Sequence, residues 1–281
     1  MKKGKEILTI VSILVFVAIV GVLVTFNGVK AHNNHYVRVE VNPKVEFITD
    51  ANNNVISLMP INNEAKTLLV QEKFIGMKVY DACEKFVDLC AQTNYIDVNG
   101  DDNAVRITVV SGLTQALENK VYSKINNYFK NNEIKAVVVE SDNDIDLISE
   151  ALDKNIASAN KLMLINAVIE KDNTLNEKEL NKLSETKLID KLIALHKQNP
   201  YNSDDFTTEE ITNKTKLIDF NRESFESHIE RISNKSISEF QKTYDKHQAK
   251  YQDSYEENFN KKYTEWRNSR LVANNQNIPL K

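Results

Sequence analysis

Cysteine is scarce in this chain: there are 2 in 281 residues, Cys83 and Cys90, too few for a disulfide framework. They fall seven positions apart in a helical pattern, which separates them by about 10 Å along one face. That is beyond the reach of an intrahelical bridge. They read as buried free thiols, with an intermolecular or redox role as the alternative. Glycine (6) and proline (4) are also few, which excludes a collagen-like segment and long flexible linkers. Excess positive charge is missing: the net charge is −4, and no basic stripe with interleaved aromatics runs through the sequence, so no nucleic-acid partner is expected. No phosphate-binding glycine loop, zinc-protease signature or serine-nucleophile motif is present. His32 and His35, with Asn33 and Asn34 between them, are too few ligands for a metal site and read as solvated linker. His196, His228 and His247 stand alone on helical stretches, as surface or packing residues. Asn99 to Asn103 lacks the alternating oxygen ligands and terminal Glu of a calcium loop and reads as a plain turn. No cofactor, metal or turnover enzyme is therefore expected.

What is present begins with a long apolar run. Ile7 to Phe26 carries no charge and as a helix would reach about 30 Å, the thickness of a bilayer core. Lys2, Lys3 and Lys5 precede it, which places the N-terminus inside the cell and the C-terminus outside. The rival reading is a cleaved signal peptide, with Val29-Lys30-Ala31 as a loose cleavage site; the run is longer than a usual signal core of about 7–15 residues, which favours the anchor. Either way the main domain is exported.

Beyond the span, Tyr36 to Val41 alternates, with Val37, Val39 and Val41 on one face and Tyr36, Arg38 and Glu40 on the other. This is the pattern of a half-buried strand. Val45 to Thr49 and Val55 to Met59 read as a hairpin around the turn Asp50–Asn53. Ile61 to Val70 is short and helical. Met77 to Ala91 is an amphipathic helix with Val79, Ala82, Cys83, Phe86 and Cys90 on one stripe. Val105 to Val110 and Ile134 to Val139 are strands. Between them Leu113 to Phe129 is a helix with Leu113, Ala116, Leu117, Val121, Ile125 and Tyr128 inward. Asp144 to Leu152, Ser158 to Glu170 and Asn176 to Lys197 are helices. The order predicts an α+β fold, a mixed β-sheet covered by helices in an α/β/α sandwich. Its organisation is a cytoplasmic N-terminus (1–6), a transmembrane helix (7–26), a juxtamembrane linker (27–35), the extracytoplasmic domain (36–198), a polar linker (199–218), an amphipathic helical tail (219–272) and a disordered end (273–281). In the tail Ile237, Phe240, Tyr244, Tyr251, Tyr255, Phe259, Tyr263 and Trp266 recur at three- and four-residue spacings. That stripe packs on the domain or on a second copy, or else docks another protein or a wall polymer.

One local feature carries chemistry. Asn42-Pro43 interrupts a β pattern, where proline is disfavoured because it has no N–H for the ladder. An Asn side chain is ordinarily attacked by the following backbone nitrogen, but proline offers no such N–H. The reverse attack stays open. The Asn42 side-chain nitrogen can close on its own carbonyl carbon, forming a succinimide and expelling the prolyl nitrogen. That reaction needs a held geometry and help with proton transfer. On an ideal strand Glu40 shares a face with Asn42 and could orient its amide or take its proton. Read without its surroundings, the dipeptide is simply a strand end or turn.

The surroundings add a resemblance. Tyr36-Val-Arg-Val-Glu-Val-Asn-Pro-Lys-Val-Glu-Phe47, Asn54-Val-Ile-Ser-Leu58 and Ile61-Asn-Asn-Glu-Ala-Lys-Thr-Leu-Leu69 occur in that order. They are followed by Gly76-Met-Lys-Val-Tyr-Asp-Ala82, Asn94-Tyr95, Ile156-Ala-Ser-Ala-Asn-Lys-Leu-Met-Leu-Ile-Asn166 and the helix near Leu180 to Lys197. Together they resemble the extracytoplasmic middle domain of RsgI-type anti-sigma factors over about residues 36–197. The resemblance implies an α/β sandwich that cuts itself at its Asn-Pro bond and leaves two associated fragments, with Asn42 as the attacking residue and Pro43 as the new N-terminus. It implies signalling across the membrane, from polysaccharide or wall state outside to a sigma factor inside. Two positions depart from the family pattern: Glu40 stands where Asp is usual, and Lys44 where Ser is usual. Met1 to Glu6 is also too short for a sigma-binding domain, so no direct sigma-factor contact is expected from this chain. Signalling through another membrane or envelope protein, or contact with wall polysaccharide, is expected instead. The alternatives are an uncleaved surface binding or scaffold protein whose aromatic tail docks a partner, and a secreted form released at Ala31.

Overall fold

The structure, a computed structural model, describes residues 34–111 and 115–233. The expected membrane helix at 7–26, the segments around it, His32, Leu113, His247 and the aromatic stripe from Ile237 onward lie outside the described residues. Among the described residues no helix is long and apolar enough to cross a membrane.

Five strands form one mixed sheet in the order β3-β2-β1-β4-β5. They are β1 (His35–Glu40), β2 (Lys44–Thr49), β3 (Val55–Pro60), β4 (Asn103–Val110) and β5 (Ala136–Glu140). The first strand among the described residues is thus the middle strand of the sheet, antiparallel to both β2 and β4. Only β4 and β5 are parallel, and the helix between them supplies the crossover that a parallel pair requires.

The register places Val37 beside Phe47 and Val109, and Val39 beside Val45 and Ile107. These residues form the floor of the larger core. Over it lie α1 (Asn63–Leu68), α2 (Val79–Gln92) and α3 (Gln115–Asn131). The Val79, Ala82, Cys83, Phe86 and Cys90 stripe of α2 is buried as its spacing predicts, and both thiols are free. In α3, Leu117, Val121, Ile125 and Tyr128 point inward, but Ala116 is exposed.

The opposite face of β1 is not solvated, which corrects the half-buried reading of this strand: all six residues are buried. Its polar face sits under a second helical layer, α4 (Ile145–Asp153), α5 (Ala159–Lys171), α6 (Glu177–Asn181) and α7 (Glu185–Gln198). Tyr36, Ile48 and Val110 pack there against Leu162, Ile165, Leu188 and Leu192. The alternation signalled two environments, but the second is a buried charge network rather than water.

Besides shifts of one or two residues at several element ends, three larger differences from the sequence reading stand out. The stretch 176–197 is two helices, because Ser184 accepts from Lys187 N and starts a new one. His35 belongs to β1 and is buried, not part of a solvated linker. A helix, α8 (Thr208–Ser233), begins inside the expected linker 199–218. Its Leu217 enters the larger core, and the Lys214 ammonium is buried on Val70 O at 2.6 Å and Glu72 Oε1 at 2.7 Å. The stretch after Asn199 therefore packs on the sheet domain up to Ser233.

Candidate functional site

β1 ends at Glu40 and β2 begins at Lys44, and these two residues are register partners. Val41, Asn42 and Pro43 are thus the three-residue loop of a tight hairpin, closed by Val41 N donating to Pro43 O at 3.0 Å. This explains how a proline is tolerated beside the middle strand: it sits in the turn, where no ladder hydrogen bond is asked of it. The loop is not exposed, as most hairpin tips are. Val41 is fully buried and Asn42 is 2% exposed.

Asn42 carries two features that bear on chemistry. Its side-chain Nδ2 is buried and has no hydrogen-bond partner among the described residues. Such a group costs about 1–3 kcal/mol of lost solvation and calls for an explanation. Its main-chain carbonyl oxygen, by contrast, accepts from Asn62 Nδ2 at 2.7 Å. Asn62 is the N-cap of α1, in extended conformation. Its Oδ1 accepts from Ala65 N at 3.2 Å and from Lys44 N at 3.0 Å. Among the described residues the left-handed backbone positions are Asn53, Gln71, Gly76, Asn94, Glu133 and Asn155, all outside this turn.

Beside the turn, on the polar face of β1, lies the charge network. Glu40 meets Arg106 Nε at 3.0 Å, Lys44 Nζ at 3.2 Å and Arg38 Nη2 at 3.5 Å. Burial alone would push the Glu40 carboxyl up, but Arg38, Arg106 and Lys44 outweigh it and hold it well below the usual carboxylate range. Arg106 also grips Asp144 at 2.6 Å. Arg38 reaches Glu46 at 3.4 Å and Glu170 at 3.2 Å, and Tyr36 donates its hydroxyl to Glu46 at 2.8 Å. Burial would likewise raise Glu46, yet His196, Arg38, Lys171 and Tyr36 together bring it down. Thr108 and Ser141 share a short hydroxyl contact nearby.

The structure brings Asn42, Pro43 and Glu40 within one hairpin, as the sequence placed them. Glu40 is committed to three cations, so it is a poor proton acceptor. Sequence reading did not single out Asn62 or Arg106. Asn62 had a visible signal, an Asn opening a short helix; its reach to the turn depends on the Val45–Pro60 register. Arg106 sits on the same sheet face as Glu40 through the β1–β4 register, a non-local pairing. His196 is buried, with Nδ1 at 2.8 Å from Ser57 Oγ, and His228 Nε2 is 2.6 Å from Asn132 O; both are packing residues. Among the described residues no group of three or more His, Cys, Asp or Glu is placed to hold a metal.

Comparison with known proteins finds similarity over the sheet domain. Residues 34–167 match the family model described as the anti-sigma factor RsgI-like central domain. A curated relative, the anti-sigma-I factor RsgI7 of Acetivibrio thermocellus, is 24% identical over 140 residues, covering 49% of this chain and 25% of that protein. The match thus spans about a quarter of the relative's length. The stretch resembles the middle domain of RsgI-type anti-sigma factors, and the matched residues include every strand of the sheet together with the Asn42–Pro43 turn.

Proposed function

We propose that this chain, which carries an RsgI-like central domain at residues 34–167, is a single-pass membrane signalling module that cuts itself once at Asn42–Pro43. The observation that carries the reading is the buried, unpartnered Asn42 amide in a tight turn before proline. Turning this amide nitrogen onto its own carbonyl carbon breaks no hydrogen bond that it makes among the described residues, so the fold does not hold it away from the reacting geometry.

Residues 7–26 anchor the chain, and the sheet domain lies outside the cell. Cleavage leaves residues 1–42, which carry β1, and residues 43–281, which hold the rest of the sheet. Because β1 lies between β2 and β4, the fragments stay joined by two antiparallel ladders and by packing on both faces. Covalent continuity is exchanged for a non-covalent lock that force or a ligand can open. Opening would expose the anchored fragment to further proteolysis. The output reaches a sigma factor through a membrane or envelope partner, in keeping with the relative's name as an anti-sigma-I factor.

A second reading is an uncleaved surface binding or scaffold protein. The specific observation in its favour is that Glu40, the carboxylate nearest in sequence to Asn42, is tied to Arg38, Lys44 and Arg106 and held strongly ionised. This leaves no ready base for proton transfer among the residues sequence reading named.

The test is a denaturing gel of the full chain purified in detergent, beside Asn42→Ala. The proposal expects two bands from the native chain, with Pro43 as the N-terminus of the larger, and one band from the variant. A single band from both supports the second reading.

A further inference from the structure

We infer that Asn62 is the positioning residue of the self-cleavage turn, holding the scissile bond from both sides and donating a hydrogen bond to the oxygen on which negative charge develops. The inference rests on the self-cleavage reading above. Its juxtaposition is specific: one side-chain amide touches the residue before the bond and the residue that follows Pro43. Asn62 Nδ2 donates to Asn42 O at 2.7 Å, and Asn62 Oδ1 accepts from Lys44 N at 3.0 Å.

The direction of the Asn62 amide is fixed by its partners rather than by choice. Its oxygen faces two backbone N–H groups, of Lys44 and Ala65, which can only donate. Its nitrogen faces a carbonyl oxygen, which can only accept. A flipped amide would break all three contacts.

The chemistry uses that arrangement directly. The Asn42 Nδ2 lone pair forms a bond to the Asn42 carbonyl carbon, and the carbonyl π pair moves to the oxygen. A proton leaves Nδ2 and reaches the prolyl nitrogen. The tetrahedral carbon collapses, the bond to Pro43 breaks, and Pro43 leaves as a secondary amine. Residue 42 is left as a C-terminal succinimide, which water later opens. Charge peaks on the oxygen to which Asn62 donates, and a fixed donor at such a position stabilises the transition state more than the ground state. The bond from Lys44 N to Asn62 Oδ1 meanwhile keeps the chain after Pro43 from following the rotating carbonyl.

The test separates this role from the N-cap role of the same residue. Asn62→Asp keeps both acceptor contacts and remains a good N-cap, but it replaces the donor with an acceptor. Asn62→Ser is the second variant, an N-cap whose side chain is too short to reach the turn. Cleavage of newly folded full chain in detergent is followed on denaturing gels, with melting temperature as the fold control. In an Asn42→Ala background, the carbonyl 13C shift of residue 42 reads the hydrogen bond itself. The inference expects cleavage slowed roughly 10²–10³-fold in the Asn62→Asp variant, with the melting temperature retained and the residue 42 carbonyl shift moved upfield. Should Asn62→Asp unfold the turn, the Asn62→Ser variant must show the same slowing and shift. Native chain that cleaves, with variants that fold and cleave at the native rate, overturns the role of Asn62 alone. Native chain that never cleaves overturns the reading beneath it.

Discussion

At the scale of single residues, the buried polar groups of β1 and its turn divide into two kinds. Arg38 is surrounded by Glu40, Glu46 and Glu170, and its removal strands the buried carboxylates of Glu40 and Glu46. Arg38→Met is expected to cost about 3–5 kcal/mol in urea unfolding, the penalty for breaking a buried pair from one side. Asn42 is the opposite case. Its Nδ2 makes no hydrogen bond among the described residues, so Asn42→Ala removes an unsatisfied group. That variant should melt within a few degrees of the native protein while losing cleavage, which separates chemistry from stability at one position. The Asn42-Pro43 turn was legible in the sequence because proline, with no N–H for the ladder, interrupts a β pattern. The surroundings of Glu40 were not, since Arg106 lies far along the chain and meets it only through β1–β4 pairing.

At the scale of elements, periodicity located the helices and strands well, and their ends less well. The α2 stripe is buried where a 3.6-residue period puts it. The long helix expected over 176–197 broke at Ser184 because a side-chain cap competes with helix continuation. The larger difference is α8. Polar and acidic residues around Pro200 read as a linker, but Lys214 and Leu217 tie the following helix to the core. Linker composition and helix docking are compatible when only one stripe of the helix is buried. Leu217→Ala should therefore destabilise the sheet domain itself, by about 2–4 kcal/mol in a denaturant titration. A change below about 0.5 kcal/mol, typical of surface positions, would mean that α8 is only loosely attached.

At the scale of the whole molecule, the sheet order determines what a cut would mean. A cut beside an edge strand would shed a peptide; a cut beside β1 leaves the middle of the sheet in place. Cleaved protein should elute as one species under native conditions and separate only in denaturant. The same buried network makes the fold acid-sensitive. Glu40 and Glu46 both sit below their ordinary value of 4.5 in the folded state, so below that pH the unfolded chain binds more protons than the folded one. Their stabilisation is therefore complete above about pH 4.5 and is lost as pH falls towards their folded values. Thermal melts at pH 6 and at about pH 3 should show this drop, and Glu40→Gln should reduce it. The sandwich was visible in the order of elements, while the central place of β1 was not, because strand order depends on pairings between distant segments.

The most direct measurement is the mass of every polypeptide in freshly folded full chain, taken under denaturing conditions. A bond broken by its own Asn side chain gives a fragment ending at Asn42 as a cyclic imide, one water lighter than the same fragment released by a protease. Its mass and that of the fragment starting at Pro43 add up to the uncut chain with nothing gained. That result is expected. A chain that stays whole, or fragments ending at Asn42 that carry the added water from the first time point, would contradict the account.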